Sequence, residues 1–271
     1  MTRPEPYFLG YRQAEQERLE RQANQLAHES AWLFDEIGVG DGWRVVEIGC
    51  GPRGCLSLLS ERVGATGRVV GVERSHEQVE RAKQFVTHEG LSNVEVLHAD
   101  ARSTGLPAGT FDLATARLVL VNVPQPEQLV AEMVRLVRPG GIVALHEADS
   151  TTQRCDPPLP AQTRLLQLLN TCAEMDGIDR TIGTRSPRLL REAGLVEVRV
   201  NPLVHVYPAG HGRRMLLLEF IENVRKRILD EHLIEEVELN ELTRALRCHL
   251  EDPETLVISG LFIQAWGRKT D

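Results

Sequence analysis

The segment at residues 43–54, WRVVEIGCGPRG, constrains the fold more than any other part of the chain. Its first half is a short apolar run, which indicates a buried strand, and glycines follow directly. Residues 56–63 then show the apolar spacing of a helix. A glycine turn between a strand and a helix leaves room for a ligand against the main chain. The same arrangement binds pyrophosphate in dinucleotide-binding proteins, so the glycines alone leave the ligand open.

Strands and helices continue to alternate after this unit. Further strands are predicted at residues 68–73, 94–98, 111–117 and 142–147, with helices between them at about 75–89 and 126–137. The strands are apolar throughout, which is typical of strands that are buried on both faces. The pattern therefore predicts an α/β fold in which helices cover both faces of a parallel sheet.

The remaining segments depart from this repetition. The sequence predicts a charged helix at about 11–37, helices at 161–175, 186–194, 211–229 and 234–250, a strand at 196–206 and a β-rich run at 255–266. The insertion of about 50 residues between the two late strands is long for a connection and indicates a lid. We expect an N-terminal helical cap at 1–40, a ligand-binding α/β core at 41–206, a helical lid at 207–254 and the last core strand at 255–271.

Composition narrows the class of protein. Of the 271 residues, 42% are hydrophobic and 26% are charged, as in ordinary globular proteins, and the net charge of −8 argues against a surface for nucleic-acid phosphates. No apolar run approaches the roughly 20 residues that a membrane helix needs. The polar N-terminal segment also lacks the apolar core of a signal peptide. We therefore expect a cytoplasmic enzyme with no nucleic-acid or membrane partner.

The spacing of cysteine and histidine predicts no metal site. The five cysteines are odd in number and include no C-x-x-C pair, so reduced and packed thiols are expected. His76 and His88 belong to one predicted helix and lie too far apart along it to share a metal ion.

An acidic residue inside the first motif helps to identify the ligand. Glu47 lies just before Gly49 and therefore close to the predicted ligand. A carboxylate at this place repels a pyrophosphate and suits a ligand that carries sulfonium and ammonium charges. The alternative is that Glu47 caps the glycine turn by accepting hydrogen bonds from backbone N–H groups.

Two further acids follow the next strands. Glu73 ends the second strand, where nucleotide-binding sheets place a carboxylate for the ribose hydroxyls. Asp100 follows the third strand, where its side chain could accept a hydrogen bond from an adenine amino group. Alternatively, Glu73 is a surface residue paired with Arg74, and Asp100 caps a turn. Acids at the ends of three successive strands indicate one ligand site, because open parallel sheets bind ligands at that edge.

Together these motifs resemble class I S-adenosylmethionine (SAM)-dependent methyltransferases, closest to the small-molecule group that includes ubiquinone- and menaquinone-type and natural-product enzymes. The matching segments are VVEIGCGPRG (45–54), VVGVE (69–73), HAD (98–100), FDLATARLVLVNVPQP (111–126) and LVRPGGIVALHEAD (136–149). The resemblance is strong over residues 41–150 and fainter elsewhere. It implies SAM as the cofactor and a doubly wound, seven-stranded, mostly parallel, Rossmann-like sheet with an antiparallel last strand and helical lid elements.

The resemblance also assigns cofactor contacts by position. The residues implied are Glu47, Gly49, Cys50 and Gly51 at the methionine part of SAM, Glu73 and Arg74 at the ribose, Asp100 and Ala101 at the adenine, Arg117 beside the cofactor, and Tyr11 and Gln22 from a covering N-terminal helix. The alternative for that helix is a solvated amphipathic helix. Two positions depart from the family pattern: Arg53 precedes Gly54 where a glycine is usual, and Asn122 stands where related sequences often have histidine.

Catalysis of methyl transfer needs few special groups. Transfer from a sulfonium is an in-line displacement that depends largely on positioning and on exclusion of water. A general base is needed only if the acceptor holds its proton at neutral pH. Candidates for that base are His146 and Glu147, on opposite faces of the fifth strand, and His211, at the start of a lid helix. The alternatives are buried structural groups for the first two and an ordinary surface residue for His211.

We therefore expect a SAM-dependent methyltransferase that acts on an O, N or C atom of a small organic acceptor, in a pocket walled mainly by apolar lid residues. Three alternatives stay open: an NAD-dependent oxidoreductase, a methyltransferase fold that uses SAM without transferring a methyl group, and a non-catalytic binding module. The sequence leaves the acceptor and the oligomeric state open, with a homodimer as one option.

Overall fold

A computed structural model describes residues 8–10 and 13–270 of the chain. Its strands are β1 (Arg44–Ile48), β2 (Arg68–Glu73), β3 (Val94–His98), β4 (Phe111–Arg117), β5 (Val137–Asp149), β6 (Arg154–Asp156), β7 (Val196–Leu203), β8 (Val206–Tyr207), β9 (Leu256–Ile258) and β10 (Leu261–Arg268). Its helices are α1 (Gln13–Gln25), α2 (Ala27–Ile37), α3 (Leu56–Val63), α4 (His76–His88), α5 (Pro126–Leu136), α6 (Pro160–Met175), α7 (Ile182–Glu192), α8 (Leu216–Asp230) and α9 (Glu236–Glu251).

Local sequence signals explain where the core helices begin. Ser75 caps α4, because its Oγ accepts a hydrogen bond from the N–H of Gln78 at 3.4 Å. Pro126 occupies the first turn of α5, where its missing N–H costs no helical hydrogen bond. Both helices therefore start where the sequence predicts them.

The main sheet contains seven strands in the order β3-β2-β1-β4-β5-β10-β7. The five strands from β3 to β5 pair in parallel, whereas β10 is antiparallel to both β5 and β7. The predicted mostly parallel sheet with an antiparallel last strand is confirmed. After β3 the chain crosses to the other side of β1, so the topological switch point lies between β1 and β4, and ligands are expected at this place.

Alternating side chains of the strands bury an apolar layer on each face of the sheet. Val46 and Ile48 pack in a core with α5 and α7. Val45 points to the opposite face, where α2, α3 and α4 supply the apolar partners. Helices thus cover both faces, as strands that are apolar throughout require.

A second core lies in the helical part of the chain. Apolar residues of α6, α8 and α9 bury one another, and β9 of a small sheet with the order β6-β9-β8 joins them through Val257. Arg214 ties this unit together by donating hydrogen bonds to the carbonyls of Tyr207, Leu250 and Asp252. The unit combines α6 with the predicted lid segment, and the division of the chain into domains stays a prediction.

The predicted helix at 11–37 is wrong in one respect, because it is two helices. The chain breaks between α1 and α2 at Leu26. The side chain of Leu26 is buried against Ala148 and Phe262, which lie far away in sequence. The periodicity of the segment contains no information about this packing, so the break could not be predicted.

Other element boundaries also differ from the sequence prediction, and two of them bear on the packing of the sheets. The predicted strand at 196–206 is divided between the two sheets, since Leu203 pairs with Phe262 in the main sheet and Val206 pairs with Ile258 in the small one. Helix α7 begins at Ile182 instead of residue 186. Its first residue is buried in the core beside the sheet, and this packing stabilises an additional helical turn before the predicted start. Within the part of the chain that the structure describes, no helix is long and apolar enough to cross a bilayer.

Candidate active site

A cleft opens at the carboxyl ends of β1 to β4, at the switch point of the sheet. Its volume is about 1110 Å³ when the open solvent at its mouth is included. The predicted cofactor contacts within the described residues all line it, namely Gln22, Glu47, Gly49, Cys50, Gly51, Glu73, Arg74, Asp100, Ala101 and Arg117. Tyr11 lies outside the described residues. The structure thus brings the predicted residues together, whereas their contacts with SAM stay a proposal.

Glu47 lies beneath the glycine turn at the end of β1. Its side chain is buried, and both carboxylate oxygens accept the N–H of Cys55, at 2.8 and 2.9 Å. A Cβ atom at residue 54 would lie 2.5 Å from Oε2 of Glu47, so the carboxylate occupies the space that only glycine leaves free. This contact explains the unusual position of Gly54. It also realises the capping role that the sequence left as the alternative for Glu47, which lines the cleft at the same time.

Burial determines the protonation of Glu47. Desolvation raises the pKa of the Glu47 carboxyl to about 7, although the positive charge of Arg117 acts in the opposite direction. Arg117 donates hydrogen bonds to Ser30 Oγ at 2.9 Å and to the Gly54 carbonyl at 3.1 Å. It therefore links α2 to the glycine turn.

Glu73 joins the end of β2 to the glycine turn. Its Oε2 accepts the N–H of Gly51 at 3.1 Å, and its Oε1 accepts the N–H groups of Arg74 and Ser75, each at 2.8 Å. The alternative of an exposed ion pair with the Arg74 side chain is therefore not what the structure shows. The carboxylate is fixed by backbone groups and borders the cleft.

Asp100 is fixed by its neighbour Arg102. The carboxylate accepts hydrogen bonds from the backbone N–H of Arg102 at 2.8 Å and from its guanidinium at 2.9 and 3.1 Å. The side-chain hydrogen bond from Arg102 is the main reason why the pKa of Asp100 lies below its ordinary value. Asp100 is thus held ionised at the edge of the cleft, with Arg102 as a further lining residue.

The loop after β4 forms a wall of the cleft that the sequence did not identify. Leu118, Val119 and Asn122 line it. A Cβ atom at Gly49 would lie 2.6 Å from Val119 Cγ2, so the loop can approach the glycine turn this closely only because residue 49 is glycine. Asn122 Nδ2 donates a hydrogen bond to the Leu118 carbonyl at 3.0 Å. The signal that could have found this loop is its position after the strand next to the switch point.

Helix α1 contributes a further wall and is anchored to the helical part of the chain. Gln22 and Leu19 line the cleft. Glu15 is buried and accepts a hydrogen bond from Asn223 Nδ2 of α8 at 2.8 Å. An exposed ion pair between Arg21 and Glu219 of α8 lies beside it, at 3.1 Å. These contacts pack α1 against α8 beside the cleft. A fully solvated helix, the alternative given above, would not bury Glu15 in this way.

A second cavity, of about 740 Å³ when the open solvent at its mouth is included, adjoins the cleft. The two share Leu19, Gln22, Leu118 and Asn122 as lining residues. The rest of its wall is mainly apolar and comes from several elements, with Leu9, Val121, Leu166, Leu169, Leu216, Leu217, Phe220 and Phe262 among its residues. An apolar cavity with a few polar groups is typical of sites for small organic molecules.

His146 and Glu147 line neither of these cavities. His146 is buried beside Phe262, and burial lowers the pKa of its imidazole to about 3. Burial raises the pKa of Glu147 to about 7, and its carboxylate accepts the N–H groups of Val119, Leu120 and Val121 at 2.9 to 3.2 Å. These contacts hold the loop after β4 and fit the alternative given above, a buried structural group, whereas the role of Glu147 as a base stays a prediction.

His211 lies at a shallower site. Its ring stacks on Tyr207 with 5.0 Å between the ring centroids, and its Nδ1 accepts the N–H of Arg213 at 3.2 Å. It lines a separate depression with His205 and Glu29, and it lines neither the cleft nor the second cavity. Its position therefore does not support the predicted catalytic role.

The cysteines beside the glycine turn are packed thiols. Cys50 and Cys55 are buried and free of disulfides, and burial raises the pKa of Cys55 to about 12. Neither thiol is activated as a nucleophile. Within the described residues, no group of three or more His, Cys, Asp or Glu side chains is arranged to hold a metal ion.

The fold is a doubly wound, Rossmann-like sheet with an antiparallel last strand, and three carboxylates line the cleft at its switch point. Residues 46–145 match the family model described as a methyltransferase domain. This match confirms, over these residues, the resemblance to methyltransferases that the sequence predicts.

Individual relatives agree with this assignment. A phosphatidylethanolamine N-methyltransferase of Cereibacter sphaeroides is 41% identical over 105 residues, which are 38% of this chain and 50% of that protein. A demethylmenaquinone methyltransferase of Geobacillus kaustophilus is 29% identical over 196 residues, covering 66% and 82% of the two chains. The chain spans about half the length of several curated relatives that it matches.

The fold is also found among solved structures. A SAM-dependent methyltransferase from Aquifex aeolicus superposes with a TM-score of 0.52 over 72% of this chain and 93% of that one. The sequence identity of 22% makes this a likeness of fold alone.

Proposed function

We propose that the chain is a SAM-dependent methyltransferase that transfers a methyl group to an O, N or C atom of a small organic acceptor. The observation that carries the proposal is the junction of two unlike cavities, which share Leu19, Gln22, Leu118 and Asn122. The cleft with its carboxylates suits a cationic cofactor, and the apolar cavity suits an organic acceptor. The shared wall is where the methyl group would pass.

The residues of the cleft fit SAM by charge and by hydrogen-bonding capacity. The ionised form of Glu47 would attract the positive charges of the methionine part. Glu73 is held by three backbone N–H groups, and its oxygens retain acceptor capacity for the ribose hydroxyls. Asp100 and Ala101 would frame the adenine, with Gln22 as part of the cover. Bound SAM supplies the methyl group on an electrophilic sulfonium.

Catalysis by this site would rest on positioning. None of the described residues that line the second cavity is His, Asp, Glu, Lys or Cys. The apolar walls would exclude water and hold the acceptor in line with the sulfonium, which supplies much of the rate enhancement in such displacements. We therefore do not propose His146, Glu147 or His211 as bases.

Two measurements test the proposal. Calorimetric titrations with SAM, S-adenosylhomocysteine (SAH) and NADH should show binding of the first two alone, and NADH binding in place of SAM would favour the oxidoreductase alternative. Assays with a panel of small acceptors should release SAH with at least one of them. Tight SAM binding with no SAH release on any acceptor would favour a protein that uses SAM without methyl transfer, or a binding module.

The proposal also covers the location, the partners and the domain organisation of the enzyme. We place the enzyme in the cytoplasm, without a nucleic-acid partner, and the net charge of −8 supports the latter point. Tyr11 remains a proposed cofactor contact, and the division into a cap, an α/β core and a lid remains a proposed domain organisation. Size-exclusion chromatography with light scattering would decide between a monomer and a homodimer.

A further inference from the structure

The second cavity carries charge of one sign. Arg18, Arg180 and Arg213 line it, each only 6% exposed. None of the described residues in its wall is Asp or Glu. The neighbouring cleft differs, because carboxylates and guanidinium groups both line it: Glu47, Glu73 and Asp100 with Arg74, Arg102 and Arg117. A methyl acceptor that entered the second cavity would therefore meet buried guanidinium groups.

Arg213 differs from Arg18 because no carboxylate in the described part of the chain compensates its charge. The Glu15 carboxylate, 2.7 Å away, neutralises Arg18. Arg213 forms no ion pair within the described residues, and its buried Nη1 has no hydrogen-bond partner there. A buried guanidinium without a carboxylate is costly, and each of its N–H groups calls for an acceptor. A ligand can supply both the charge and the acceptor.

The rest of the Arg213 side chain is fixed in place. Its Nε donates a hydrogen bond to Tyr207 Oη at 3.0 Å, and its guanidinium carbon lies 5.6 Å from the centre of the Phe262 ring. Phe262 lines the same cavity. The guanidinium is thus held before a ligand arrives, which lowers the entropy cost of binding one.

We propose that the acceptor is an organic molecule with an apolar body and an anionic oxygen group, such as a carboxylate or a phenolate, and that Arg213 binds this group. The inference rests on the proposed function, since it names the substrate class of the second cavity. An anionic acceptor next to a cofactor that carries a sulfonium gains from the attraction between the two ligands. The apolar wall selects the body of the acceptor, and Arg213 selects its charge.

A matched pair of probes tests the proposal on the unaltered protein. The neutral dye N-phenyl-1-naphthylamine fluoresces in apolar cavities, and 1-naphthoate and 1-naphthamide are competitors with the same ring and different charge. With saturating SAH in the cleft, 1-naphthoate should displace the dye at a concentration about tenfold lower than 1-naphthamide, as expected for one charge-assisted hydrogen bond. Equal displacement by both competitors, or failure of the dye to bind, would overturn the proposal.

Variants then assign the preference to Arg213. Arg213→Gln should abolish the advantage of 1-naphthoate while the dye still binds, whereas Arg213→Lys should retain part of it. Arg244→Gln, at an exposed position of α9, is the matched control and should keep the full advantage. A folded Arg213→Gln protein that retains the advantage of 1-naphthoate would overturn the assignment. If the Gln variant does not fold, the Lys variant decides, because retention of the full advantage in that variant would overturn the assignment.

A separate titration distinguishes this inference from the proposed function. SAH binding is measured by calorimetry, and the dye displacement is repeated without SAH. A protein that prefers 1-naphthoate but binds no SAH would contradict the cofactor assignment and leave the anion site standing. A protein that binds SAH without preferring 1-naphthoate would contradict the anion site alone.

Discussion

The backbone N–H of Gly51 donates a hydrogen bond to the Glu73 carboxylate at 3.1 Å, which joins the glycine turn after β1 to the end of β2. The carboxylate is thereby held at the edge of the cleft before any ligand binds. Pre-organised acceptors of this kind bind ligand hydroxyls without a further cost of ordering. The position of Glu73 therefore leads directly to a test of the cofactor assignment.

Replacement of Glu73 by alanine should weaken SAM binding roughly tenfold or more, because it removes the acceptor for the ribose hydroxyls. Isothermal titration calorimetry measures the effect. Glu77→Ala, at an exposed position of α4, is the matched control and should leave the affinity unchanged. Unchanged SAM affinity in Glu73→Ala would remove Glu73 from the site.

The space under the glycine turn gives a stability prediction. Gly54 and Gly90 both have positive φ, so alanine causes backbone strain at either position. A Cβ atom at residue 54 also meets the Glu47 carboxylate at 2.5 Å, whereas nothing lies within 4 Å of one at residue 90. Gly54→Ala should therefore lower the free energy of unfolding by about 1–3 kcal/mol more than Gly90→Ala. Equal losses in urea denaturation would show that the turn has room for a side chain.

The raised pKa of Glu47 predicts a pH dependence of cofactor affinity. With a pKa of about 7, the carboxyl is partly neutral at neutral pH, and only its ionised form attracts a sulfonium. SAM affinity should therefore rise as the pH increases through about 7. SAH lacks the sulfonium charge and should respond less, and Glu47→Gln should abolish the difference between the two ligands. Parallel pH profiles of SAM and SAH binding to the wild type would speak against a contact between Glu47 and the sulfonium.

The same pKa predicts how the free protein responds to pH. In the unfolded chain the Glu47 carboxyl titrates near its ordinary pKa of 4.5, so folding takes up a proton between this pH and about 7. Its stabilising contribution is complete below pH 4.5 and is lost as the pH rises through 7. Glu47→Gln should reduce the decline of the free energy of unfolding in this window. Part of the decline should stay, because the pKa of Glu147 is raised in the same direction. An unaltered slope in the variant would contradict this account.

Glu147→Gln distinguishes a structural role from proton transfer. The carboxylate accepts three N–H groups of the loop after β4, and an amide can no longer satisfy them all. The free energy of unfolding should fall by about 1–3 kcal/mol, and SAM affinity should fall with it because Val119 lines the cleft. A large loss of turnover at unchanged stability and SAM affinity would instead identify Glu147 as a base.

The cofactor cleft could be predicted largely from local sequence. Glu47, Glu73 and Asp100 each stand at or just after the end of a short apolar run, and such runs specify buried strands without reference to distant residues. Parallel pairing then brings the strand ends to one edge of the sheet. The sequence therefore predicts the three carboxylates together, whereas it contains no signal for the hydrogen bonds that fix each of them.

The second cavity could be predicted only as a mainly apolar pocket. Its arginines come from three separate segments, Arg18 from α1, Arg180 from the turn before α7 and Arg213 from the segment before α8. Long-range packing brings them together, and no spacing in the sequence records such contacts. The same reason accounts for the loop after β4, where Leu118 adopts a positive φ of 55° that apolar residues rarely show.

The central claim is that the cleft holds SAM with its reactive sulfur facing the second cavity. A crystal structure of the complex with SAH tests it most directly. The ribose hydroxyls should bond the Glu73 carboxylate, and the sulfur should lie at the wall that Leu118 and Asn122 share between the cleft and the second cavity. SAH bound elsewhere, or with its sulfur directed away from the second cavity, would contradict the account.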